Sequence, residues 1–490
     1  MPHYPPQNRR APDQGICYIR CVDDPLALSL VDVGALIRRR ALSPVELLEA
    51  VLARIEALDP ALNAFTTLST AALAEARAAE RDLARGVYRG PLHGIPVGVK
   101  DLIDTAGLRT TYGSGMFADH VPARDAAVAE RLRAAGAVIT GKTATHELGK
   151  GITTNNFFFG PTRNPWDLER VPGGSSGGAA AAVAAGMGPV HIGTDGGGSI
   201  RIPAAFCGVV GFKPTLGLIS NRGQFGDGNS SYSTPGPLAR SVRDAAVAAQ
   251  ALAGWDPDYI YSRPEPVPDL VGDLEAGVAG ARIGVSPDFL DPAPDPAVQE
   301  AFEATVARLA GLGAEIVEVA MPNHDLVLPC IGALFGIEGE VMLEQLFGAR
   351  PRLFSPTVAR GRARGIPAEP ALWVRAQQDR ARVRRDYAAA FTQVEALVLP
   401  TAPIVPPRID ADEAAAVRAC VPYTGGANLA GLPAVALPAG FADGLPLSVQ
   451  VVAAAGADAL VLRIARALEQ AAPEHRAAAP PLDTGAAGRA

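Results

Sequence analysis

Lys100 is the first of several residues whose types and spacing suit the activation of a serine hydroxyl for attack on a carbonyl group. It directly follows the apolar run at residues 95–99. Burial in apolar surroundings lowers the pKa of a lysine, so that its neutral amine can act as a base. The alternative is an ordinary lysine whose ammonium group reaches water at the end of its apolar stem.

Two glycine-rich segments carry the candidate hydroxyl groups. Ser175 and Ser176 lie in the run 173–178, and Ser199 directly follows three glycines. Glycine lets the backbone approach other groups closely and leaves its N–H groups uncovered, which suits an oxyanion hole. The donors of such a hole would be the backbone N–H groups of Gly196, Gly197, Gly198 and Ser199. A flexible turn with a helix N-cap, and a tight strand-to-helix turn, are the alternatives. Together with Lys100, the two segments would supply a base, a relay, a nucleophile and oxyanion donors.

Two other motif matches are disfavoured by their context. Residues 136–143, GAVITGKT, fit the phosphate-loop pattern, but their mostly apolar middle is typical of a strand rather than of a flexible loop. Residues 173–177 fit the nucleophile elbow G-x-S-x-G, but the four residues before them make a poor strand. The later histidines, His191, His324 and His475, are expected to be packed or surface residues. Neither nucleotide binding nor a serine–histidine triad is therefore predicted.

The composition excludes several classes of protein. The 490 residues are 48% hydrophobic and 19% charged, which is the reverse of the balance in disordered chains. Lysine and arginine number 44 against 51 aspartates and glutamates, and the net charge of −7 argues against a general nucleic-acid binder. The five scattered cysteines favour a reducing compartment, and Cys17 and Cys21 lack a second pair of zinc ligands.

The sequence pattern predicts neither a secretion signal nor a membrane span. The N-terminal residues lack the apolar segment of a signal peptide. Apolar tracts such as 179–192 are short and broken by glycine, so no membrane span is expected. We therefore expect a soluble, cytoplasmic protein that contacts neither nucleic acid nor membrane.

The order of the predicted elements indicates an α/β fold. Ser43 and Glu46 form a capping box at the start of a helix, residues 71–84 have a helical pattern, and Asp125 is expected to cap another helix. Predicted strands are 95–100, 137–140, 190–194, 282–285, 315–319, 397–400, 434–438 and 447–452, and later helices are 296–309, 370–392 and 458–471. This alternation predicts a sheet layered with helices.

One large domain accounts for most of the chain. Residues 1–27 begin with a proline-rich polar stretch and are expected to form a loosely ordered arm. Residues 28–475 form the predicted domain, and residues 476–490 form a C-terminal tail. The proline- and aspartate-rich stretch 255–272 is interpreted as a surface connection within the domain.

The segment 171–215 resembles the amidase signature family. It contains VPGGSSGG at 171–178 and GTDGGGSIRIPAAFCGVVGFKPT at 193–215. Further motifs that resemble the family are GIPVGVKD at 94–101, GPTRNPW at 160–166 and GLPLSVQ at 444–450. The resemblance covers about residues 28–475.

The resemblance implies an α/β/α sandwich with a large mixed sheet and a Ser-cisSer-Lys triad. By motif position, Lys100 would be the base. Ser175, held by a cis peptide bond after Gly174, would be the relay, and Ser199 would be the acylated nucleophile. No metal and no organic cofactor is implied.

The resemblance also assigns supporting residues around the nucleophile. The backbone from Gly196 to Ser199 would form the oxyanion hole, and Asp195 and Arg201 would support it as a pair. Gly196 departs from the family pattern, because relatives usually carry a side chain such as threonine there.

The implied activity is hydrolysis of the C–N bond of a small carboxylic amide through an acyl-serine, with release of ammonia or an amine. Carbamates and urea derivatives are alternative substrates. Another alternative is the glutamine-hydrolysing A-type subunit of a tRNA-dependent amidotransferase, which serves a partner protein. Residues 350–392 are rich in proline and arginine rather than tyrosine, which favours a stand-alone hydrolase. Self-association as a homodimer stays open.

Aromatic residues are candidates for an apolar substrate pocket. Tyr112, Phe157 and Tyr232 are the foremost of these, together with Phe225 and Trp373. The alternative for each is an ordinary place in the core.

Overall fold

A computed structural model describes residues 24–225, 230–347, 353–356, 358–359, 370–477 and 480–482. The predicted arm lies almost entirely outside these residues, and so does most of the predicted tail. The last helix, Glu474–Ala477, crosses the boundary that was expected at residue 475.

The elements alternate along the chain as expected. The strands are β1 (Phe65–Leu68), β2 (Pro96–Lys100), β3 (Val138–Thr143), β4 (Asn155–Asn156), β5 (Gly160–Pro161), β6 (Val190–Asp195), β7 (Val210–Lys213), β8 (Thr234–Ala239), β9 (Arg282–Val285), β10 (Glu315–Glu318), β11 (Ala396–Pro400), β12 (Ala434–Ala442) and β13 (Leu445–Ala453). The helices are α1 (Leu30–Arg38), α2 (Pro44–Leu62), α3 (Ala72–Ala84), α4 (Ala127–Ala134), α5 (Gly177–Ala184), α6 (Arg201–Cys207), α7 (Val242–Leu252), α8 (Pro296–Gly311), α9 (Val327–Phe347), α10 (Pro370–Ala390), α11 (Glu413–Ala430), α12 (Asp458–Ala471) and α13 (Glu474–Ala477).

One mixed sheet of 11 strands forms the centre, in the order β1-β3-β2-β6-β8-β7-β12-β13-β11-β9-β10. The strands β3, β2 and β6 are parallel neighbours, as are β11, β9 and β10. The other pairs within this sheet are antiparallel, including the hairpin of β12 and β13. Because β2 and β6 run side by side in the same direction, their carboxyl ends meet at one edge of the sheet.

Helices cover both faces of this sheet. Along β11, Ala396 and Val398 pack in one core with α1, α7 and α12, whereas Leu397 and Leu399 pack in a second core with α9, α10 and α11. This alternation follows from the two-residue period of a strand. The expected α/β fold with a large mixed sheet between helices is confirmed.

One local prediction needs correction, and one strand was missed. Asp125 does not cap α4, whose N-cap is Ala126; its carboxylate instead accepts from Ala106 N at 2.7 Å and pairs with Arg133 at 3.0 Å. The central strand β8 was not predicted, because its sequence TPGPLA contains two prolines, which argue against an inner strand. Pro235 and Pro237 pair with β6, whereas β7 pairs only with the last two residues of β8, so the strand has one partner rather than two at its prolines.

Helix α9 contradicts the expectation that no segment could span a membrane. By length and composition alone, His324–Gln345 is apolar enough to cross one, with a mean hydropathy of 1.8. In this structure Cys330 and Leu334 are buried in the second core, where α9 packs against α10 and α11. The apolar composition of α9 thus serves at least in part to cover the sheet.

Helix α11 was also not predicted, because Pro422, Gly425 and Gly426 interrupt its pattern. The two glycines permit close packing: a Cβ at Gly425 would lie 2.9 Å from Val327, and one at Gly426 would lie 2.5 Å from the Tyr387 hydroxyl. Close approach to α9 and α10 therefore requires the residues that obscure the helix in the sequence.

Candidate active site

Lys100 is the last residue of β2 and is fully buried. Val97 and Val99 of the same strand point into the first core, so the alternation of the strand directs Lys100 to the opposite face. Its Nζ lies 2.7 Å from Ser175 Oγ, 2.8 Å from Ser176 Oγ and 3.0 Å from Thr194 Oγ1. The structure thus brings the candidate base to both serines of the glycine-rich run.

The surroundings of Lys100 disfavour its charged form. Burial lowers the pKa of its amine well below the ordinary value, and the Asp195 carboxylate opposes this shift only in part. The sequence placed the cause in the apolar run before Lys100. The structure shows that enclosure by the whole fold is responsible, because even the end of the side chain is fully buried.

Ser175 and Ser176 have different environments. The peptide bond between Gly174 and Ser175 is cis, and the Ser175 carbonyl accepts hydrogen bonds from Thr145 Oγ1 at 3.0 Å and from His146 N at 3.2 Å. Ser175 lines a cavity, whereas Ser176 is fully buried against Thr194. Of the two serines, only Ser175 joins Lys100 to the cavity.

Ser199 lies in the turn between β6 and α6 and lines the same cavity as Ser175. Its carbonyl oxygen accepts from Ser176 N at 3.2 Å, which ties the two serine segments together. The parallel neighbours β2 and β6 explain this meeting, because Lys100 and the turn after Asp195 follow strand ends at the same edge.

The glycine turn offers fewer oxyanion donors than the sequence suggested. Gly198 N donates to Asp195 Oδ1 at 2.7 Å, so this N–H is already engaged and the expectation for Gly198 is corrected. Gly198 has a φ of +122°, and a Cβ there would lie 2.3 Å from Thr424 Oγ1, so its role is to shape the turn. The N–H groups of Gly196, Gly197 and Ser199 donate to no other described residue and stay available.

Asp195 is held as a buried carboxylate beneath the turn. Arg201 Nε donates to it at 3.0 Å, as the expected pairing of these two residues requires, and both side chains are fully buried. Burial by itself would raise the pKa of Asp195, but the Arg201 guanidinium and the Asn428 amide hold it below its usual range. Arg201 also donates to Gln450 Oε1 at 2.8 Å and to Asn428 Oδ1 at 2.7 Å.

Two residues of α11 support the turn and were missed in the sequence. Thr424 Oγ1 donates to Gly197 O at 2.6 Å, and Asn428 Nδ2 donates to Asp195 O at 2.8 Å. They are one helical turn apart and so share a face of α11. The i, i+4 spacing of two polar residues in an apolar segment is the only signal that pointed to them.

The cavity that contains Ser175 and Ser199 has a volume of about 440 Å³. Tyr232, Phe225 and Trp373 line it, as expected for a substrate pocket. Phe335 of α9 adds a further ring, stacked on Tyr232 at 4.6 Å. A Cβ at Gly196 would lie 3.0 Å from Phe335, so the missing side chain at this position lets the ring close the cavity.

Two of the expected pocket residues lie elsewhere. Tyr112 packs on Phe225 with a ring distance of 4.8 Å and lies behind the wall of the cavity. Phe157 is 66% exposed and packs on Phe158, so it does not line this cavity and that expectation is corrected.

The family model described as Amidase matches residues 46–462. The chain belongs to the amidase signature family. It is an amidohydrolase, an enzyme that cleaves the C–N bond of amides. The expected family and enzyme class are therefore confirmed.

Relatives of this amidase include components of larger enzymes. The A subunit of glutamyl-tRNA(Gln) amidotransferase from Roseiflexus sp. (strain RS-1) is 40% identical over 474 residues, covering 91% of this chain and 97% of the relative. The crystal structure of the corresponding protein from Thermotoga maritima has a TM-score of 0.79 and 32% identity, covering 96% of this chain and 98% of that one. These similarities favour the amidotransferase alternative over the expected stand-alone hydrolase.

Another similar solved structure is that of an enzyme that is not named as an amidotransferase subunit. The crystal structure of a bacterial aryl acylamidase of the amidase signature family has a TM-score of 0.85 and 28% identity, covering 92% of this chain and 97% of that one. Proteins with this fold therefore include enzymes that are named for different substrates.

The disfavoured motifs have structural explanations in this amidase. Most of the phosphate-loop match forms the inner strand β3, whose backbone is engaged in the sheet. Before the elbow match, the described residues form no strand, and His191 is buried in β6, where burial lowers its pKa to about 3. Among the described residues no group of His, Cys, Asp and Glu could hold a metal, and independence from metals stays a prediction.

Replacing Thr424 by valine is expected to lower kcat of this amidase about tenfold to hundredfold with little change in KM. The valine keeps the shape but leaves Gly197 O without its 2.6 Å hydrogen bond, so the donors of the turn shift from the developing oxyanion. Steady-state kinetics on any turned-over amide measures the effect.

Thr305→Val is the matched control for this prediction. Thr305 is equally buried and donates to Ala301 O at 2.8 Å within α8, away from the turn. It should lose about 1 kcal/mol of unfolding free energy with unchanged kcat. Equal kinetic losses in both variants would show that the effect of Thr424 is not local.

Proposed function

We propose that this amidase hydrolyses a carboxylic amide through an acyl-enzyme on Ser199, with Ser175 as relay and Lys100 as base. The observation that carries the proposal is the hydrogen bond of 2.7 Å between Lys100 Nζ and Ser175 Oγ, at the wall of the cavity that also contains Ser199. This arrangement follows the general logic of an activated serine.

The acylation step moves one proton along this chain of groups. Neutral Lys100 accepts the Ser175 proton, and Ser175 accepts the Ser199 proton as Ser199 Oγ bonds to the amide carbon. The negative charge that forms on the carbonyl oxygen is stabilised by the free N–H groups of the glycine turn, where one donor is worth about 2.7–4 kcal/mol in other hydrolases. Ser175 then gives a proton to the leaving nitrogen as the C–N bond breaks, and the Lys100 ammonium returns a proton to Ser175, so that both groups are restored for the second step.

Deacylation repeats the same transfers with water in place of the amine. Water loses a proton to Ser175 and attacks the ester carbon, and Ser199 regains its proton when the acid leaves. Ser176 and Thr194 hold the Lys100 amine throughout, so that its lone pair stays directed at Ser175.

A shared acyl-enzyme predicts a constant product ratio. The amide and the ethyl ester of one acid, hydrolysed with hydroxylamine present, should give the same proportion of hydroxamate to free acid, because both pass through the same ester on Ser199. A panel of aliphatic amides, aryl amides and carbamates first identifies an acyl group that the enzyme accepts. Chromatography of the products then measures the ratio of hydroxamate to free acid. Different ratios for the two leaving groups would contradict the acyl-enzyme.

Glutamine is the second candidate substrate, with transfer of its ammonia to a partner. It is favoured by the 40% identity to an amidotransferase component over 91% of the chain. The two candidates are a simple aliphatic amide, represented by hexanamide, and glutamine. Ammonia release from each, measured for the purified chain, separates them. Preference for glutamine, together with copurification of stoichiometric partner proteins from the native cell, would support the amidotransferase role; preference for hexanamide without partners would support the stand-alone hydrolase.

A further inference from the structure

Gly196 lies against two aromatic rings at the wall of the catalytic cavity. A Cβ at this position would lie 3.0 Å from Phe335 Cζ and 3.4 Å from the Tyr232 ring. Carbon atoms in contact prefer a separation of about 3.5–4.0 Å, so a side chain here would displace the Phe335 ring. The bare backbone therefore lets Phe335 reach the turn that carries the oxyanion donors.

The contribution of Gly196 is space rather than conformational freedom. Gly198 in the same turn has a φ of +122°, which other residues rarely adopt, whereas the φ of Gly196 lies outside the left-handed region. The backbone at residue 196 would thus accept an alanine, and the Phe335 ring is the group that its methyl would meet.

Both rings are held in place relative to the turn. Asn428 Nδ2, which also supports the turn, donates to Tyr232 O at 3.1 Å. Phe335 stacks on Tyr232 with a ring distance of 4.6 Å and an angle of 29° between the planes. Ile331, one helical turn before Phe335 on α9, would lie 3.1 Å from a Cβ at Gly425 of α11. The two rings therefore form a fixed, flat wall beside the oxyanion donors, and we call them the ring pair.

The direction of proton transfer decides which part of a substrate meets the ring pair. Ser175 gives its proton to the leaving nitrogen, so that nitrogen must lie on the side of Ser175. This side is closed by the loop of Gly149, where a Cβ would lie 3.6 Å from Ser175 Oγ and 2.9 Å from Leu102. The carbonyl oxygen points to the N–H groups of the turn. The acyl group then points away from Ser175, to the part of the wall that Phe335 forms beside Gly196.

We propose that the ring pair and the open position at Gly196 select amides whose carbonyl carbon is bonded directly to an aromatic ring. The inference rests on the proposed hydrolysis at Ser199 and narrows its substrate class to arylcarboxamides, of which benzamide is the simplest. The ring of such an acyl group starts at the carbonyl carbon and therefore lies next to the turn, within reach of Phe335. Two aromatic rings in an offset or edge contact attract each other by more than their burial alone, which a saturated ring does not match.

Benzamide and cyclohexanecarboxamide test the inference, because they have the same number of non-hydrogen atoms and differ in whether the ring is flat and aromatic. Calorimetric titration into Ser199→Ala should show benzamide binding about three- to tenfold more tightly. Adding Phe335→Leu should remove most of that preference, since leucine keeps an apolar side chain without a ring. Both ligands are measured on one protein, so partial unfolding of a variant leaves their ratio unchanged.

Phe391→Leu is the matched control. Phe391 is also half-buried against the second core and also packs on a tyrosine, Tyr387, at a ring distance of 6.2 Å, but it does not line the catalytic cavity. It should leave the preference for benzamide unchanged. The inference is overturned if Ser199→Ala shows no such preference, or if Phe335→Leu and Phe391→Leu change it equally.

Gly196→Ala tests the role of the open position. Its methyl group should displace the Phe335 ring and lower the preference for benzamide about as much as Phe335→Leu does. Once Phe335→Leu has removed the ring, the same methyl group should have little further effect on the preference. A preference that survives Gly196→Ala, or losses that simply add in the double variant, would contradict the link between Gly196 and the ring.

Turnover separates this inference from the proposed function. In the wild type, Phe335→Leu should lower kcat/KM for benzamide about three- to tenfold relative to cyclohexanecarboxamide, and this comparison cancels the different intrinsic reactivities of the two amides. A binding preference that depends on Phe335 supports the ring pair even if neither amide is hydrolysed, a result that would count against the proposed function alone. Hydrolysis at Ser199 with a preference that ignores Phe335 overturns the inference and leaves the proposed function intact.

Discussion

Replacing Ser199 by alanine is expected to reduce amide hydrolysis by roughly four orders of magnitude or more while leaving the fold intact. The loss follows because no other group would form the bond to the acyl carbon. The turn should survive, since its backbone is held by Gly198 N on Asp195, by Thr424 on Gly197 O and by Ser176 N on the carbonyl of residue 199. Ammonia release, the thermal unfolding curve and the intact mass of an acid-quenched reaction measure these outcomes.

Ser241→Ala controls for the loss of a buried serine hydroxyl. Ser241 is the N-cap of α7, where its Oγ accepts from Asp244 N at 3.1 Å, and it does not line the catalytic cavity. The control should cost about 1 kcal/mol of stability without any loss of rate. If Ser199→Ala kept most of its activity while Ser175→Ala lost it, the nucleophile would be Ser175, as in the disfavoured elbow interpretation.

Lys100→Met is expected to reduce kcat/KM by about 10²–10⁴-fold and to remove its dependence on pH. Burial places the pKa of Lys100 well below its ordinary value. Below that pKa the amine is protonated and accepts no proton from Ser175; above it the amine is neutral and active. The wild type should therefore show a single limb that rises with pH and a plateau that extends into the alkaline range. Lys100→Arg should not restore the rate, because a guanidinium stays protonated.

Lys142→Met is the matched control for the loss of a buried lysine. Lys142 lies on the neighbouring strand β3, is also fully buried, and donates to Thr105 Oγ1 at 2.8 Å, away from the cavity. Burial lowers its pKa to about 8, so its own titration falls within the measured range. Its profile should keep the wild-type limb. If the rising limb persists in Lys100→Met, Lys100 is not the base. If the limb is lost in Lys142→Met, the group that titrates is Lys142 and not Lys100.

His146 and His191 are poor sources for such a limb. Burial lowers the pKa of His146, and it lowers that of His191 to about 3. Both lie below the ordinary histidine value, so a limb near about 6.5 would need a group other than these two.

Local patterns in the sequence determined much of the fold. The apolar runs that became β2 and β6, the capping box at Ser43 and the alternation of elements each depend on residues close in the chain. Short-range periodicity and capping are legible without tertiary contacts, which is why these elements were predicted. The same holds for the serines, because the glycines that permit their turns stand beside them.

Elements that break the local rules were recognisable only in the tertiary structure. The prolines of β8 lie where the strand pairs with β6 alone, because β7 stops pairing before it reaches them, and the glycines of α11 are required by the closeness of α9 and α10. Neither neighbour is adjacent in sequence. The packing of α9 against α10 and α11 was also visible only in the tertiary structure, because the composition of His324–Gln345 alone is suited to a membrane as well.

The chemistry of the site divides in the same way. The sequence by itself determined which residues could serve as base, relay and nucleophile, because Lys100, Ser175 and Ser199 stand in motifs whose spacing is visible along the chain. Only the tertiary structure decided that Gly198 N is engaged by Asp195, that Thr424 holds the turn, and that Phe157 faces solvent. The physical reason is that hydrogen-bond partners and burial depend on atoms brought together from distant parts of the chain, and no local pattern records where those atoms lie.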